Sequence, residues 1–385
     1  MAQAAQNKQT NTEWLTSGNK ILEDLKLIPK SEYRSVLRKH LSEEYFKPAI
    51  GHFSLYMIAM LVYGFGIYAI VTLKTFLVVK LVISIVMGIS LGSLTFFLHD
   101  LMHGSIIQSK VLSYLTGLSV GLLNLFAPLF WQRVHNLHHA TTGSTDDPDR
   151  SYVLEESPKN LIEKFVYKTR VSNESMNPFI SLLLMSTGFF WYFFNTMFYG
   201  LVARKASIKE DKKYQRIQLL FKQTKYKIVV LFELLIIFSF QAFLFSFIAK
   251  GVFITYFLIA LLPIAISHTI AMAYIHTNHF LSPLTGNIDD PLINSLSLKN
   301  SWFVDKIFSN FSHHVEHHLF PAMSSYHYPK VRKLLLELYP NRFQLIPMID
   351  AIKLLCKTPR IYGDYTHLIS SDGKTKFNCL LPTSS

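Results

Sequence analysis

The sequence predicts an all-α integral membrane protein with four transmembrane helices in two hairpins, interfacial helices, and a cytoplasmic helical cap that holds a di-metal cage of histidines. Of the 385 residues, 50% are hydrophobic and only 16% are charged, which is a membrane-like composition. Four apolar runs are long enough to cross a bilayer. The histidines gather in clusters, and these clusters fall on one side of the predicted spans.

A transmembrane helix needs about 20 apolar residues. The runs that reach this length are residues 53–73, 76–98, 228–248 and 252–272. The connections around residue 74 and over residues 249–251 are so short that each can only be a tight reversal, so the runs form two hairpins. These bounds divide the chain into a cytoplasmic N-terminal segment (1–52), a membrane domain (53–340) and a cytoplasmic C-terminal tail (341–385).

Two further apolar runs, 111–130 and 178–202, are predicted to lie in the interface or to re-enter the membrane. Residues 203–227 carry nine Lys or Arg against two acids, so the positive-inside rule places them in the cytoplasm. If 178–202 crossed alone, the histidines before it and those after the fourth span would face opposite sides. Both termini and every histidine cluster of this multi-pass protein are therefore predicted to be cytoplasmic.

The net charge of +13 would suit a nucleic-acid partner, but the positive mean hydropathy argues against one. In a basic membrane protein, Lys and Arg more often face the anionic lipid headgroups of the cytoplasmic leaflet. Cys356 and Cys379 lie beyond the last apolar run and lack metal-site spacing. They therefore imply no oxidising compartment.

Most of the histidines fall in four clusters with helical spacing. They are HDLMH (His99, His103), HNLHH (His135, His138, His139), SHTIAMAYIHTNH (His268, His276, His279) and HHVEHH (His313, His314, His317, His318). Side chains three or four residues apart share one face of a helix, so each cluster can aim its imidazoles together.

An open metal site takes about three or four protein ligands. Two HxxHH triplets, one HxxxH pair and one more histidine supply nine imidazoles, which suit two metals with room for oxygen. Because the set contains no thiolate, the ligand chemistry leaves iron and copper both open.

HDLMH, HNLHH and HHVEHHLFP, in this order around two hairpins, resemble the histidine boxes of the membrane fatty acid desaturase superfamily, and the likeness covers residues 50–340. The resemblance implies a non-haem centre of two iron ions on the cytoplasmic side, with O2 as co-substrate. It also implies that the second and fourth spans protrude from the membrane and carry ligands. The catalytic metal ligands carried over by the resemblance are His99, His103, His135, His138, His139, His279, His314, His317 and His318.

The sequence departs from the superfamily pattern at the end of the fourth span. Acyl-CoA desaturases have an Asn-x-x-x-His motif there, whereas Ile275 stands four residues before His279, and His276 stands three before it. His276 is therefore counted among the metal residues, as a direct ligand or as the holder of a water. His268 and His313 stay open between ligand and structural roles. The last box begins with His rather than with the Gln of front-end desaturases, which speaks against that subgroup.

Several acidic residues lie in or next to the boxes. Asp100 and Glu316 are predicted to stand behind the ligands and to accept hydrogen bonds from imidazole N–H groups. Asp146, Asp147 and Asp149 either orient ligands, contact a headgroup or organise a turn.

Four polar or aromatic residues have two interpretations each. Glu233 and Gln241 lie in the third apolar run, where an acid indicates function or an interhelical hydrogen bond. Trp131 and Arg133 flank the second box, and they either line the substrate entrance or anchor the chain at the interface.

The resulting functional prediction is an O2-dependent desaturase that introduces a double bond into a fatty acyl chain, carried by a lipid or a thioester and delivered from the bilayer. Since no donor domain is recognisable in the sequence, a separate ferredoxin or cytochrome b5 is expected to supply two electrons. The alternative is a hydroxylase or ketolase of a carotenoid, alkane or other lipid on the same scaffold. A metal transporter is disfavoured because the first, second and fourth spans hold almost no polar groups at mid-membrane.

Overall fold

A computed structural model describes residues 24–149, 187, 193–194, 196–198, 200–202, 212–247, 253–359, 362–369 and 375–382. The helices of the first half are α1 (Lys30–Arg38), α2 (Phe53–Thr72), α3 (Leu77–Met102), α4 (Lys110–Asn124), α5 (Pro128–Thr141), α6 (Lys212–Leu220) and α7 (Thr224–Phe247). Those that follow are α8 (Phe253–His279), α9 (Pro291–Asn294), α10 (Trp302–Ile307), α11 (His314–Leu319), α12 (Tyr328–Leu338) and α13 (Met348–Lys357). The four short strands are β1 (Ser297–Lys299), β2 (Leu345–Pro347), β3 (His367–Ile369) and β4 (Lys376–Asn378).

The four predicted spans are confirmed as long apolar helices. Among the described residues, the segments long and apolar enough to cross a membrane are Ile50–Thr72, Leu77–Met102, Thr224–Ser246 and Phe253–His279. The first two form a hairpin around residues 73–76, as predicted, whereas the predicted turn at 249–251 lies outside the described residues. Their number and length are those of an integral membrane protein.

The spans divide into an outer and an inner pair. In α2 and α7 only 22% of the apolar window is buried within the protein, whereas in α3 and α8 the share is 61%. The inner helices are also the longest, at 26 and 27 residues, and rise to roughly 40 Å against a hydrocarbon core of about 30 Å. Their ends therefore protrude from the bilayer, and His99 and His279 lie on these ends.

Glycines let the two inner helices approach closely. A side chain at Gly88 of α3 would come within 2.6 Å of Ile266 on α8, and one at Gly92 would come within 3.3 Å of Ile270. Small residues at such crossings are typical of membrane helix packing. The Ser84 hydroxyl adds a hydrogen bond of 2.6 Å to the Leu258 carbonyl, beside a π-helical turn over Phe257–Leu261.

The run predicted as one re-entrant or interfacial segment over 111–130 is broken into two helices. α4 and α5 meet at a bend of 99°, where Leu125 adopts a left-handed conformation with φ of 58°. This places the second histidine box on a helix that leaves the apolar segment. The other ambiguous run, 178–202, lies largely outside the described residues.

Both flanks of the chain pack onto the cap. Tyr33 and Leu37 of α1 are buried in a cluster with Leu319 and Phe320. At the C-terminal flank, the Tyr362 hydroxyl donates hydrogen bonds to the carbonyls of His279 and Ser282, at 3.0 and 2.7 Å. The described parts of the predicted N-terminal segment and C-terminal tail thus belong to the same packed body as the cap.

Two small sheets interrupt the otherwise helical cap. β1 pairs with β2 in parallel, with Ser297 opposite Leu345, and β3 pairs with β4 in antiparallel, with His367 opposite Asn378. Three-residue strands show no periodic pattern, which is why the sequence did not predict them.

Candidate metal centre

Nine of the predicted site histidines converge beneath the cap, and they separate into two groups. Within each group, one ring nitrogen from every imidazole lies within 4.8 Å of the others. The first group is His99, His103, His135, His139 and His317, and the second is His138, His279, His314 and His318. The sequence predicted enough imidazoles for two metals. In the structure, five imidazoles surround one candidate metal position and four surround the other.

The second box divides between the groups because of helical geometry. His135 and His139 are four residues apart on α5 and face the first group, while His138 faces the second. Successive residues of a helix are rotated by about 100°, so the i+3 and i+4 positions flank the direction of residue i on opposite sides. The sequence-based expectation that all three share one side is thus refined: they share one side and diverge within it.

The last box divides in the mirrored way. His314 and His318, four residues apart on α11, face the second group, while His317 faces the first. Each HxxHH box therefore contributes to both groups. The second box gives two histidines to the first group and one to the second, and the last box gives one and two. The pair from α3, His99 and His103, completes the first group.

Ring nitrogens within each group are in contact. In the first group the Nε2 atom of His139 lies 3.1 Å from that of His135 and 2.9 Å from that of His317. In the second group the Nε2 atom of His314 lies 2.7 Å from that of His279 and 3.1 Å from that of His318. Two ligand nitrogens at about 2.1 Å from one ion and at right angles are about 3 Å apart, so this spacing matches a shared ion.

Three of these imidazoles have a lowered pKa, which favours their neutral form. Burial lowers the pKa of His103, His317 and His318 well below its usual range, and repulsion between neighbouring imidazoles lowers it further. A neutral imidazole keeps one nitrogen lone pair free, which is the form that binds metals.

Some of these nitrogens lack any partner within the protein. Among the described residues, the Nε2 atoms of His99 and His103 are buried without a hydrogen-bond partner. Leaving a buried polar atom unsatisfied costs about 1–3 kcal/mol. A set of neutral imidazoles with converging and unsatisfied nitrogens fits a pair of metal ions.

Asp147 orients the imidazole of His138. Its Oδ1 atom lies 2.8 Å from Nδ1 of His138, and a carboxylate oxygen of Asp149 lies 3.6 Å away. An Nδ1–H that donates to the carboxylate leaves Nε2 to face the second group. Of the three aspartates left open by the sequence, Asp147 therefore orients a ligand, whereas Asp146 pairs with Arg216 at 2.7 Å.

Tyr328 holds the imidazole of His317, a contact that sequence reasoning missed. Its hydroxyl lies 2.9 Å from Nδ1 of His317 and 3.4 Å from the Phe320 carbonyl. Burial, reinforced by Asp100 and other acidic charge, raises the pKa of Tyr328 well above its usual range, so the hydroxyl stays protonated. When it donates to the carbonyl, its oxygen accepts from His317 and fixes Nε2 toward the metal side. A lone tyrosine after the last box gives no motif that would have revealed this role.

The two acids inside the boxes behave differently. Asp100 lies beside His99, with Oδ1 3.2 Å from Nδ1. Among the described residues, the hydrogen-bond donors to Glu316 are Ser297 at 2.5 Å and Arg332 at 2.6 Å, and neither is an imidazole. Each residue of a helix is rotated by about 100° from the one before it. Glu316 therefore lies on the face of α11 opposite His314, His317 and His318, and the spacing in the sequence already indicated this position.

Three clustered histidines stay outside both groups. The ring of His276 meets Phe280 edge-on, with centroids 5.0 Å apart. His268 contacts the Asn124 carbonyl through Nε2 at 2.9 Å, and Nδ1 of His313 lies 3.1 Å from the hydroxyl of the preceding serine.

The residues that flank the second box pack inside the protein. Trp131 stacks on His135, with ring centroids 4.6 Å apart and planes 12° from parallel. Arg133 donates to the Leu220 carbonyl at 3.1 Å and lies over the ring of Tyr226. Trp131 thus buttresses a histidine of the first group, and Arg133 ties α5 to α6.

Comparison with known proteins agrees with this geometry. The family model for fatty acid desaturases matches residues 75–348, a range that contains all nine converging histidines. A fatty acid desaturase of Bacillus subtilis (strain 168) is 23% identical over 271 residues, which cover 69% of this chain and 70% of that protein. The matched range takes in α3 through α12, most of the chain, and the chain therefore belongs to the fatty acid desaturase family.

Proposed function

We propose that this oxidoreductase is an O2-dependent di-iron desaturase that introduces a double bond into a fatty acyl chain. The observation that carries the proposal is the division of nine imidazoles, six buried and three half-buried, into converging groups of five and four. One iron would be held by His99, His103, His135, His139 and His317, and the other by His138, His279, His314 and His318.

Iron is proposed on the basis of the donor set and the family. Structural zinc is usually satisfied by four ligands and closes its coordination shell. A group of five imidazoles suits a metal of higher coordination number that keeps a position open for oxygen. When bound, the metals would supply the activation of O2 and the removal of two hydrogens from neighbouring methylene carbons.

The residues of the chain hold, orient and shield this centre. Asp147 and Tyr328 fix the tautomers of two ligands. On the side toward the spans, Phe311 packs against His99 and His314, with centroids 4.9 and 5.1 Å away. We propose that this aromatic ring limits the access of water to the centre and offers an acyl chain an apolar surface.

The overall reaction requires reductant. Conversion of a saturated pair of methylenes and O2 into a double bond and two waters consumes two electrons and two protons. We propose that a separate ferredoxin or cytochrome b5 supplies the electrons, and that the substrate arrives from the lipid bilayer. Adding either reduced donor to membranes that contain the protein would identify which one supports turnover.

We propose that the centre, both termini and residues 203–227 face the cytoplasm. The nine basic residues against two acids in 203–227 support this orientation. A single cysteine introduced at the exposed position Lys39, in a background without Cys356 and Cys379, would be labelled by a membrane-impermeant reagent only from the cytoplasmic side of sealed vesicles. Labelling of position 39 from the extracytoplasmic side would overturn the orientation.

Lipid analysis of a host that expresses the gene tests the reaction. A double bond, a hydroxyl and a ketone each change the product mass differently, so the same measurement separates desaturation from the hydroxylase and ketolase alternatives. His317→Ala is expected to abolish the product while the protein stays in the membrane. Zinc flux through vesicles without oxygen consumption would contradict the proposal.

A further inference from the structure

The third transmembrane helix carries a buried carboxylate that reaches a different part of the chain. Glu233 of α7 has no exposed surface, and both of its carboxylate oxygens lie 3.2 Å from the backbone nitrogen of Leu129. Leu129 is the second residue of α5, the helix that carries the second histidine box. The phenol of Tyr114 interacts with the same carboxylate.

The start of α5 requires such a partner. The first N–H groups of a helix have no acceptor within the helix, and the N-cap residue here, Ala127, has no side-chain oxygen. Pro128 has no N–H, so Leu129 presents the first one. Because water is scarce at this depth, an acceptor must come from the protein, and a carboxylate also interacts favourably with the helix dipole.

Polar contacts also fix the other side of the bend. The Asn124 side chain accepts a hydrogen bond from Ser267 at 2.7 Å, and the Asn124 carbonyl lies 2.9 Å from Nε2 of His268. On α7, Gln241 lies about two turns from Glu233 and donates to the Leu122 carbonyl at 3.1 Å. The end of α4 and the start of α5 are thus both held by polar residues of the third and fourth spans.

We infer that Glu233 is a positioning residue for the metal centre, an inference that rests on the proposed function. His139 lies ten residues beyond Leu129, or about 15 Å along the helix axis. A tilt of about 5° at the capped end would move His139 by about 1.3 Å, whereas metal–ligand distances are set to within about 0.2 Å. The carboxylate aims the imidazoles of α5 by fixing the direction in which that helix leaves the bend.

The test compares variants of the purified full-length protein in detergent. Glu233→Leu removes the acceptor, Glu233→Gln keeps one oxygen for Leu129, and Ser239→Leu is the matched control, since Ser239 lies exposed on the same helix. The measured quantity is the affinity for transition metal in competition with a chelator. We expect Glu233→Leu to weaken binding about 10-fold to 100-fold, as for other partners that orient ligands, and the other two variants to stay close to wild type.

A fourth variant separates capping from general damage to the fold. Ala127→Ser in the Glu233→Leu background places an acceptor at the N-cap position itself, and it should restore metal binding. If Glu233→Leu fails to accumulate, restored accumulation and metal binding in the double variant support the proposal, and their absence overturns it. Wild-type metal affinity in Glu233→Leu also overturns it. A wild-type protein that binds metal but forms no double bond refutes the proposed reaction and leaves this test intact.

Discussion

The ion pair between Arg332 and Glu316 is predicted to anchor the last histidine box. Arg332 donates through Nε to Glu316 at 2.6 Å, and through its two other nitrogens to the carbonyls of Leu298 and Ser312 at 3.1 and 3.2 Å. The exposed fractions of the two side chains are 13% and 0%. Arg332→Met would therefore leave a buried carboxylate with Ser297 as its remaining hydrogen-bond donor.

Breaking a buried pair by removing one partner typically costs about 3–5 kcal/mol, because the other charge stays buried without compensation. The double variant Arg332→Met, Glu316→Leu removes both charges, and it should lose less stability than Arg332→Met alone. Lys333→Met is the matched control: it is the next residue, it is 77% exposed, and its pair with Glu337 spans 3.9 Å. An exposed pair of this kind is worth at most about 0.5 kcal/mol.

Denaturant unfolding of the purified protein, followed by tryptophan fluorescence, would give the loss in free energy for each variant. Metal content measured on the same samples reports the effect on the centre, since Glu316 lies between His314 and His317 in the sequence. The reasoning is refuted if Arg332→Met loses no more stability than Lys333→Met. It is equally refuted if the double variant loses as much stability as Arg332→Met alone.

Three further predictions concern the centre directly. Asp147→Asn should weaken metal binding about 10-fold to 100-fold in a chelator competition, while Asp146→Asn, which loses a surface pair, should not. His279→Ala should abolish double-bond formation in lipid analysis, whereas His276→Ala should retain it; equal losses would contradict the grouping. Tyr362→Phe removes two hydrogen bonds to the end of α8, so unfolding should show a loss of about 1–3 kcal/mol.

The sequence predicted the spans and the converging histidines because both depend on local patterns. About 20 apolar residues in a row have few stable alternatives to a membrane helix. Histidines at i, i+3 and i+4 have few common purposes other than binding metal. Each of these patterns lies within one segment of the sequence, so it can be recognised without knowledge of the tertiary fold.

The residues behind the ligands could not be predicted in the same way. Tyr328 reaches His317 from α12, the following helix, and Arg332 of the same helix reaches Glu316 on α11. Such contacts depend on how helices pack, and a single tyrosine or arginine has no distinctive spacing. The break at Leu125 was missed for a related reason, because a leucine in the left-handed region is held there by surrounding contacts rather than by its own preference.

The division of each HxxHH box between the two groups links the two metal positions mechanically. In α5 the i and i+4 imidazoles belong to the first group and the i+3 imidazole to the second, and in α11 the assignment is reversed. A rotation of either helix therefore displaces ligands of both positions at once. The distance between the two proposed metals would then be determined by rigid helices. Contacts that fix those helices, such as Glu233 on α5 and Arg332 on α11, would act on both positions together.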